Sequence, residues 1–458
     1  MIRTKIICTL GPATDAPGVL ERMIQAGMSV ARLNASHGEP ETHERRLQQV
    51  RALSEKLRRP IGILVDLPGP KFRLGHLEQG PLELRRGARV TLAAEREQAA
   101  GAIPVNHPRL AQDVQVGEHL FLADGTVKLT VEEIKGPLVS CRVEAGGVLR
   151  SGSGLNLPDS ALNVELPTPK DADWIRFAVA QKAEWIGVSF VRTAEDLVRV
   201  RRLLKDTPEP PLVMAKIEKR QALEHLNEIT AEADAVMVAR GDLGVETPLA
   251  EVPVVQKRII AAASAAGKPS VTATQMLESM VEDPSPTRAE VTDVANAILD
   301  GSDAVMLSAE TALGKYPVEA VEMLAAVSAA TEADYPYGAL LNTAPRGTAA
   351  ALGKALSSMA CRLAMEIQAK AILVPAGSSR AAFQVARFRP EAPIIAFSTS
   401  PLRCRQLTVV WNVHPLVEEP TGGSWLQQAA RWLQDHRLAA AGDRAVVLSD
   451  VSVQVIRL

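Results

Sequence analysis

Cysteine is scarce in this chain: Cys8, Cys141, Cys361 and Cys404 lie far apart along 458 residues. With no close pair they make neither a zinc site nor a disulfide framework, which points to a reduced, cytoplasmic protein. No run approaches the roughly 18 uninterrupted apolar residues that a membrane span requires. The opening MIRTKIICTLGPAT has a charge and a short apolar run, but the run is brief and ends near a proline, so it reads as a buried strand and not as a secretory signal. A formal charge of -2 gives no global field to hold nucleic acid or anionic lipid. There is no low-complexity segment and no block of like charge that would mark a disordered tail. SGSG at Ser151 to Gly154 does not join a strand to a helix as a dinucleotide fingerprint does, and His37, His43 and His76 lack metal-ligand spacing.

What is present is apolar sequence in short, regular pieces. The hydrophobic share of 47% suits a packed globular protein, and the length requires more than one domain. Eight β-branched or aliphatic runs each end in polar residues: TKIICTL, MSVARLN, IGILVDLP, EWIGVSF, LVMAKIE, AVMVARGD, PSVTATQM and AVMLSAET. From the fourth onward, helical patterns such as EDLVRVRRLLKD separate them at the spacing of βαβ units, which predicts a (β/α)8 TIM barrel with its site at the C-terminal strand ends. Residues 71–165 instead alternate Val/Leu segments with glycine turns, an inserted β-barrel lid domain. Its connections, Pro68-Gly69-Pro70 and SGSGLNLPD, are rich in hinge residues, so it is placed to close over the rim. The barrel then takes 1–70 and 166–343, and 344–458 reads as a C-terminal open α/β domain whose helix N-termini suit phosphate.

The polar residues at the strand ends are Arg32, Asn34 and Ser36, then Asp66, Lys216, Glu218, Asp242, Thr274 and Glu310. Glu218 and Asp242 can share a hard cation such as Mg²⁺, which takes few carboxylates and completes its shell with water and substrate oxygens. Arg32 and Lys216 can neutralise a phosphoryl group or an enolate, and together these features indicate a small phosphorylated anion as substrate. Each residue has a plainer reading as well. Lys216 can simply pair with Glu218 on the same strand face, Thr274 can be an ordinary β-branched strand residue, and Asp242 can be a helix cap.

The strings KIICTLGPAT, GMSVARLNASHG, AKIE, MVARGDLGVE, KPSVTATQMLESM and SPTRAEVTDVANAILDGSDAVMLSAETALGKYPVEAV resemble the pyruvate kinase family. The resemblance runs from Arg3 to about Val327 and continues more weakly through the C-terminal domain. It implies an enzyme of glycolysis that passes the phosphoryl group of phosphoenolpyruvate to ADP with Mg²⁺ (or Mn²⁺), giving ATP and pyruvate. It also implies, by analogy, a homotetramer. The matching positions make Arg32 the holder of the phosphoryl group, Lys216 the stabiliser of the transition state and enolate, and Glu218 and Asp242 the Mg²⁺ ligands. Gly241 and Asp242 match the amides that hold the substrate carboxylate. Thr274 matches the contact near the protonated carbon, and Ser308 the proton relay. Asn34, His37, Arg73 and Lys170 resemble positions that approach the nucleotide.

Two departures bear on cofactor and regulation. Family members that bind K⁺ do so through residues matching Asn34, Ser36, Asp66 and the Leu67 carbonyl, with glutamate where this chain has Lys71. The tethered ammonium of Lys71 is therefore expected to replace K⁺, which should not be required. The chain also stops at SDVSVQVIRL without the glycine-rich effector loop, which puts activation by fructose bisphosphate in doubt; Ser378, Ser379 and Arg380 are expected either to take a monophosphate in preference to fructose bisphosphate or to form an ordinary helix cap with no activation. Rival readings are an aldolase that binds pyruvate enolate, which would need neither extra domain, and a non-catalytic metabolite sensor.

Overall fold

Runs of alternating parity build the barrel, because successive strand residues face opposite sides and both sides are covered. In the computed structural model, which describes residues 2–97, 99–160, 164–338, 341, 352–375, 379–417 and 425–458, eight parallel strands close on themselves. They are β1 (Lys5–Thr9), β2 (Met28–Asn34), β3 (Gly62–Asp66), β4 (Trp185–Val188), β5 (Leu212–Ile217), β6 (Ala235–Ala239), β7 (Ser270–Ala273) and β8 (Ala304–Leu307). Neighbours in the barrel are neighbours in sequence, and β8 pairs with β1. One parity, including Ile6, Ala31, Val65 and Ala215, packs outward under the helices. The other, including Val30, Leu64 and Met214, fills the interior.

Interior parity carries the functional side chains. Val30 is followed two residues later by Arg32, Leu64 by Asp66, and Met214 by Lys216 and then Glu218, so on these strands the apolar interior gives way to charge at the C-terminal rim. Local signals start the flanking helices. Thr168 accepts a hydrogen bond from the Asp171 N–H and opens helix Pro169–Ala180, and Thr287 does the same with Glu290 for helix Arg288–Leu299.

The inserted segment forms a seven-stranded sheet from Phe72–Arg73 to Gly154–Asn156, mostly antiparallel. A single bridge, Leu74 to Val105, joins its two edges and makes it barrel-like. At the hinge, Gly69 has φ 62, and a Cβ there would stand 2.6 Å from the Phe190 ring, so only glycine fits this turn.

The C-terminal domain is a five-stranded sheet, four strands parallel and the last, Val453–Arg457, antiparallel. It seals the barrel floor: Trp185 Nε1 donates to the Gln406 carbonyl, and buried Arg389 pairs with Asp303 at 3.0 Å. The barrel, its lid and this closing domain match the architecture expected from the sequence.

Candidate active site

Lys216 is the centre of the rim. Its ammonium lies 2.8 Å from Glu218 Oε1 and 3.1 Å from Asp66 Oδ1, and it donates to Ser189 Oγ at 2.7 Å. Burial favours the neutral amine, but the two carboxylates outweigh it and raise Lys216 above the ordinary lysine range. The pairing with Glu218 open to the sequence is therefore real, and Asp66 makes it a triad.

Asp66 is held from both sides. Arg32 Nε and Nη2 reach Asp66 Oδ2 at 2.8 and 2.7 Å, while Arg32 Nη1 donates to Thr9 Oγ1 at 2.9 Å. Burial alone would push the Asp66 carboxyl up, yet Lys216 and Arg32 hold it below the usual carboxylate range.

Glu218 Oε2 accepts the Phe190 N–H at 2.7 Å. Burial raises its pKa, Lys216 opposes that, and the charge of Asp242 adds to it. Two neighbouring carboxylates whose charges repel, offering only oxygen donors, fit a hard divalent cation supplemented by water and substrate oxygens. Among the described residues no group of three or more His, Cys, Asp or Glu forms a fuller metal cage.

Asp242 and Gly241 lie in the first turn of helix Arg240–Glu246, so that helix begins one residue before Gly241. The Gly241 N–H donates to Thr274 Oγ1 at 2.8 Å, which occupies one of the two amides expected to face a carboxylate. Thr274 is not a strand residue. The strand β7 ends at Ala273, and Thr274 and Gln275 take φ values of 72 and 53, a left-handed turn that a β-branched residue adopts only under constraint. Arg240 supplies it: its Nη2 donates to the Thr274 carbonyl at 2.7 Å, and its Nη1 pairs with Asp293 at 2.7 Å. Ser308 N–H donates to Glu310 Oε2 at 2.6 Å, and Glu310 Oε1 accepts the Leu277 N–H, so buried Glu310 ties the turns after β7 and β8 together.

His37 lies within the field of the two cationic residues expected at the nucleotide, Arg73 and Lys170. Burial and then the charges of Arg73, Lys71, Arg32 and Lys170 hold this imidazole below its ordinary range, so five sequence-named groups share one field. Arg73 Nη1 is tethered to the Gly152 carbonyl at 3.1 Å. Lys170 is exposed on the first turn of helix Pro169–Ala180.

Lys71 lies elsewhere than the sequence suggests. Its Nζ stands 3.4 Å from Asp242 Oδ1. Asn34 Oδ1 accepts the Ser36 N–H at 3.2 Å, the Leu67 carbonyl accepts Ser189 Oγ at 2.7 Å, and Asp66 is taken by Arg32 and Lys216. The turn at Gly69 sends the chain across the mouth, which is why the ammonium meets the carboxylate of helix Arg240–Glu246. Of the expected effector residues, Ser378 and the Ser379 side chain lie outside the described residues, and Arg380 is exposed in helix Ser379–Ala386.

Ser189, Thr9, Phe190 and Arg240 were not singled out from sequence. Ser189 and Thr9 each end an apolar strand run, the same signal that marked Asp66. Phe190 acts through its backbone, and Arg240 works at a distance from its neighbours in sequence, so neither left a signal.

The chain matches the family model described as pyruvate kinase, barrel domain, over residues 1–321, and the pyruvate kinase alpha/beta domain over residues 354–456. It is 38% identical over 99% of its length to a pyruvate kinase of Sporosarcina psychrophila, covering 78% of that protein. It is 42% identical to one of Thermococcus litoralis, covering 90% of this chain and 88% of the relative. A crystal structure of a pyruvate kinase from Cryptosporidium parvum superposes with a TM-score of 0.94 at 34% identity, over 100% of this chain and 96% of that one.

Proposed function

The chain belongs to the pyruvate kinase family, an enzyme that transfers the phosphoryl group of phosphoenolpyruvate to ADP and releases pyruvate, and from that premise we propose how its own residues divide the work. The observation that carries the assignment is Lys216, a buried ammonium kept charged by Asp66 and Glu218 at the barrel mouth.

Phosphoenolpyruvate sits with its phosphoryl group against Arg32 and its enol oxygen against Lys216. Its carboxylate takes the amides of Gly241 and Asp242, displacing the Thr274 hydroxyl from the first. Glu218 and Asp242 would hold Mg²⁺ or Mn²⁺, which would supply Lewis-acid polarisation of the substrate oxygens. ADP lies along Asn34, His37, Arg73 and Lys170. Its terminal oxygen attacks phosphorus in line as the bond to the enol oxygen breaks, and the electron pair of that bond stays on the enolate beside Lys216. The enolate carbon then gains a proton on the Thr274 side, with Ser308 in the relay, to give pyruvate. Closure of the 71–165 lid on the 1–70 and 166–343 barrel keeps water from acting as acceptor.

The same reading gives a K⁺-independent enzyme, in which the tethered ammonium of Lys71 supplies its positive charge from beside Asp242 and not from among Asn34, Ser36 and Asp66. It gives a homotetramer of cytoplasmic location; among the described residues no helix is long and apolar enough to cross a membrane. Residues 344–458 are the regulatory part, and Arg380 with Ser378 and Ser379 would bind a monophosphate. Activation by micromolar fructose bisphosphate that Arg380→Ala leaves unchanged would count against that site. Pyruvate formation from phosphoenolpyruvate and ADP, followed through a coupled lactate dehydrogenase, tests the function as a whole; no pyruvate from folded protein with Mg²⁺ present would refute it.

A further inference from the structure

Arg73 leaves the hinge on the first strand of the lid, Phe72–Arg73, and the lid sheet closes against that strand. Around the Leu74–Val105 bridge the backbone bonds run from the Gly75 N–H to the Pro104 carbonyl at 2.8 Å and from the Asn106 N–H to the Arg73 carbonyl at 3.0 Å. An ordinary antiparallel ladder would return a bond from the Arg73 N–H to the backbone carbonyl of residue 106. Here the acceptor is the Asn106 side chain, whose Oδ1 takes the Arg73 N–H at 2.8 Å. One asparagine therefore holds both backbone groups of Arg73.

The adjacent residues grip the same strand from its other face. The His107 ring stacks on Phe72 at 4.0 Å with an interplanar angle of 27°, and its Nε2 lies 2.9 Å from Asp113, both side chains being buried. Side chains alternate along an extended strand, so with Phe72 fixed against the lid, Lys71 and Arg73 are turned the other way. Their charges reach His37, and the Arg73 guanidinium is tethered to Gly152.

We infer that Asn106 is a positioning residue for the nucleotide: the seam of the lid sheet fixes Arg73 where the ADP phosphates dock. This rests on the proposed role of Arg73 in nucleotide binding. A strand of two residues has little pairing of its own, and an arginine on a loose hinge would have to be ordered by the ligand at the expense of affinity. The seam does that ordering in advance.

The test compares Asn106→Leu, Asn106→Asp, Arg73→Met and the double variant Asn106→Leu/Arg73→Met by steady-state kinetics, with hydrogen exchange of the 70–76 segment as a readout independent of activity. Asn106→Leu is expected to raise the KM for ADP by about tenfold while leaving the KM for phosphoenolpyruvate and kcat within about twofold. Asn106→Asp, which keeps the acceptor oxygen, should stay close to wild type. The double variant should be no worse than Arg73→Met alone, because the two changes remove one function. Faster exchange at the hinge must accompany the Asn106→Leu defect. An ADP KM that Asn106→Leu leaves unchanged, an equal rise for both substrates, or full additivity with Arg73→Met overturns the positioning role. If Arg73→Met itself leaves the ADP KM unchanged while Asn106→Leu loosens the hinge, the nucleotide assignment of Arg73 is what fails, and the inference falls with it.

Discussion

Lys71 Nζ lies 3.4 Å from Asp242 Oδ1, joining the hinge of the lid to the barrel-mouth helix that is proposed to hold the metal. The proposed K⁺ independence therefore requires this tethered charge to act from beside Asp242 and not from beside Asp66, which Arg32 and Lys216 already hold. Rates in tetramethylammonium buffer should be equal with and without KCl, and a collapse without K⁺ would sink K⁺ independence. Lys71→Glu gives the reverse case: this variant should lose activity without K⁺ and recover part of it on adding KCl.

Lys216→Met should lower turnover by on the order of a hundredfold or more, since it deletes the charge proposed to meet the enolate oxygen. The barrel should still fold, because Arg32 continues to hold Asp66. Coupled assays with circular dichroism check both halves, and a folded variant within a fewfold of wild type removes Lys216 from the mechanism.

Asp293→Asn touches no proposed substrate contact, yet it weakens the anchor of Arg240 and so the left-handed turn at Thr274. Turnover is expected to fall by about tenfold with the KM for ADP little changed. An unaltered kcat would show that the turn holds without the ion pair.

Lys5 gives a pH prediction away from the site. Its side chain is buried between the barrel floor and the C-terminal domain and donates to the Val413 carbonyl at 2.8 Å. Burial lowers its pKa to about 8, against the partial opposition of Glu332, compared with roughly 10.4 for an unfolded lysine. Between those values the unfolded chain binds the proton and the folded one does not, so this group makes stability rise with pH across that window. The Tm of wild type should therefore gain on that of Lys5→Met between pH 7 and pH 9.5. A gap that does not change with pH rules out the depressed pKa.

The barrel was legible in the sequence because its strands obey one simple constraint: parity assigns each residue to the helices or to the interior, and polar residues of interior parity fall at the ends of the strands. Val30, Arg32 and Asn34 on one strand, or Met214 and Lys216 on another with Glu218 just past its end, state this without any knowledge of their neighbours. The lid announced itself through its glycine turns and loss of helical pattern, and the long strings around Thr274 and Ser308 carried the family. What the sequence could not decide were relationships between residues far apart in the chain. That Lys216 is held by Asp66 as well as Glu218, that Arg240 fixes Thr274 through Asp293, and that Lys71 is delivered to Asp242 depend on how the elements pack and how the Gly69 turn aims the hinge. Local pattern sets which way a side chain points, but the partner at its tip is set by the closure of the barrel and its lid, because Coulomb and hydrogen-bond energies depend on distances that only the packed chain defines.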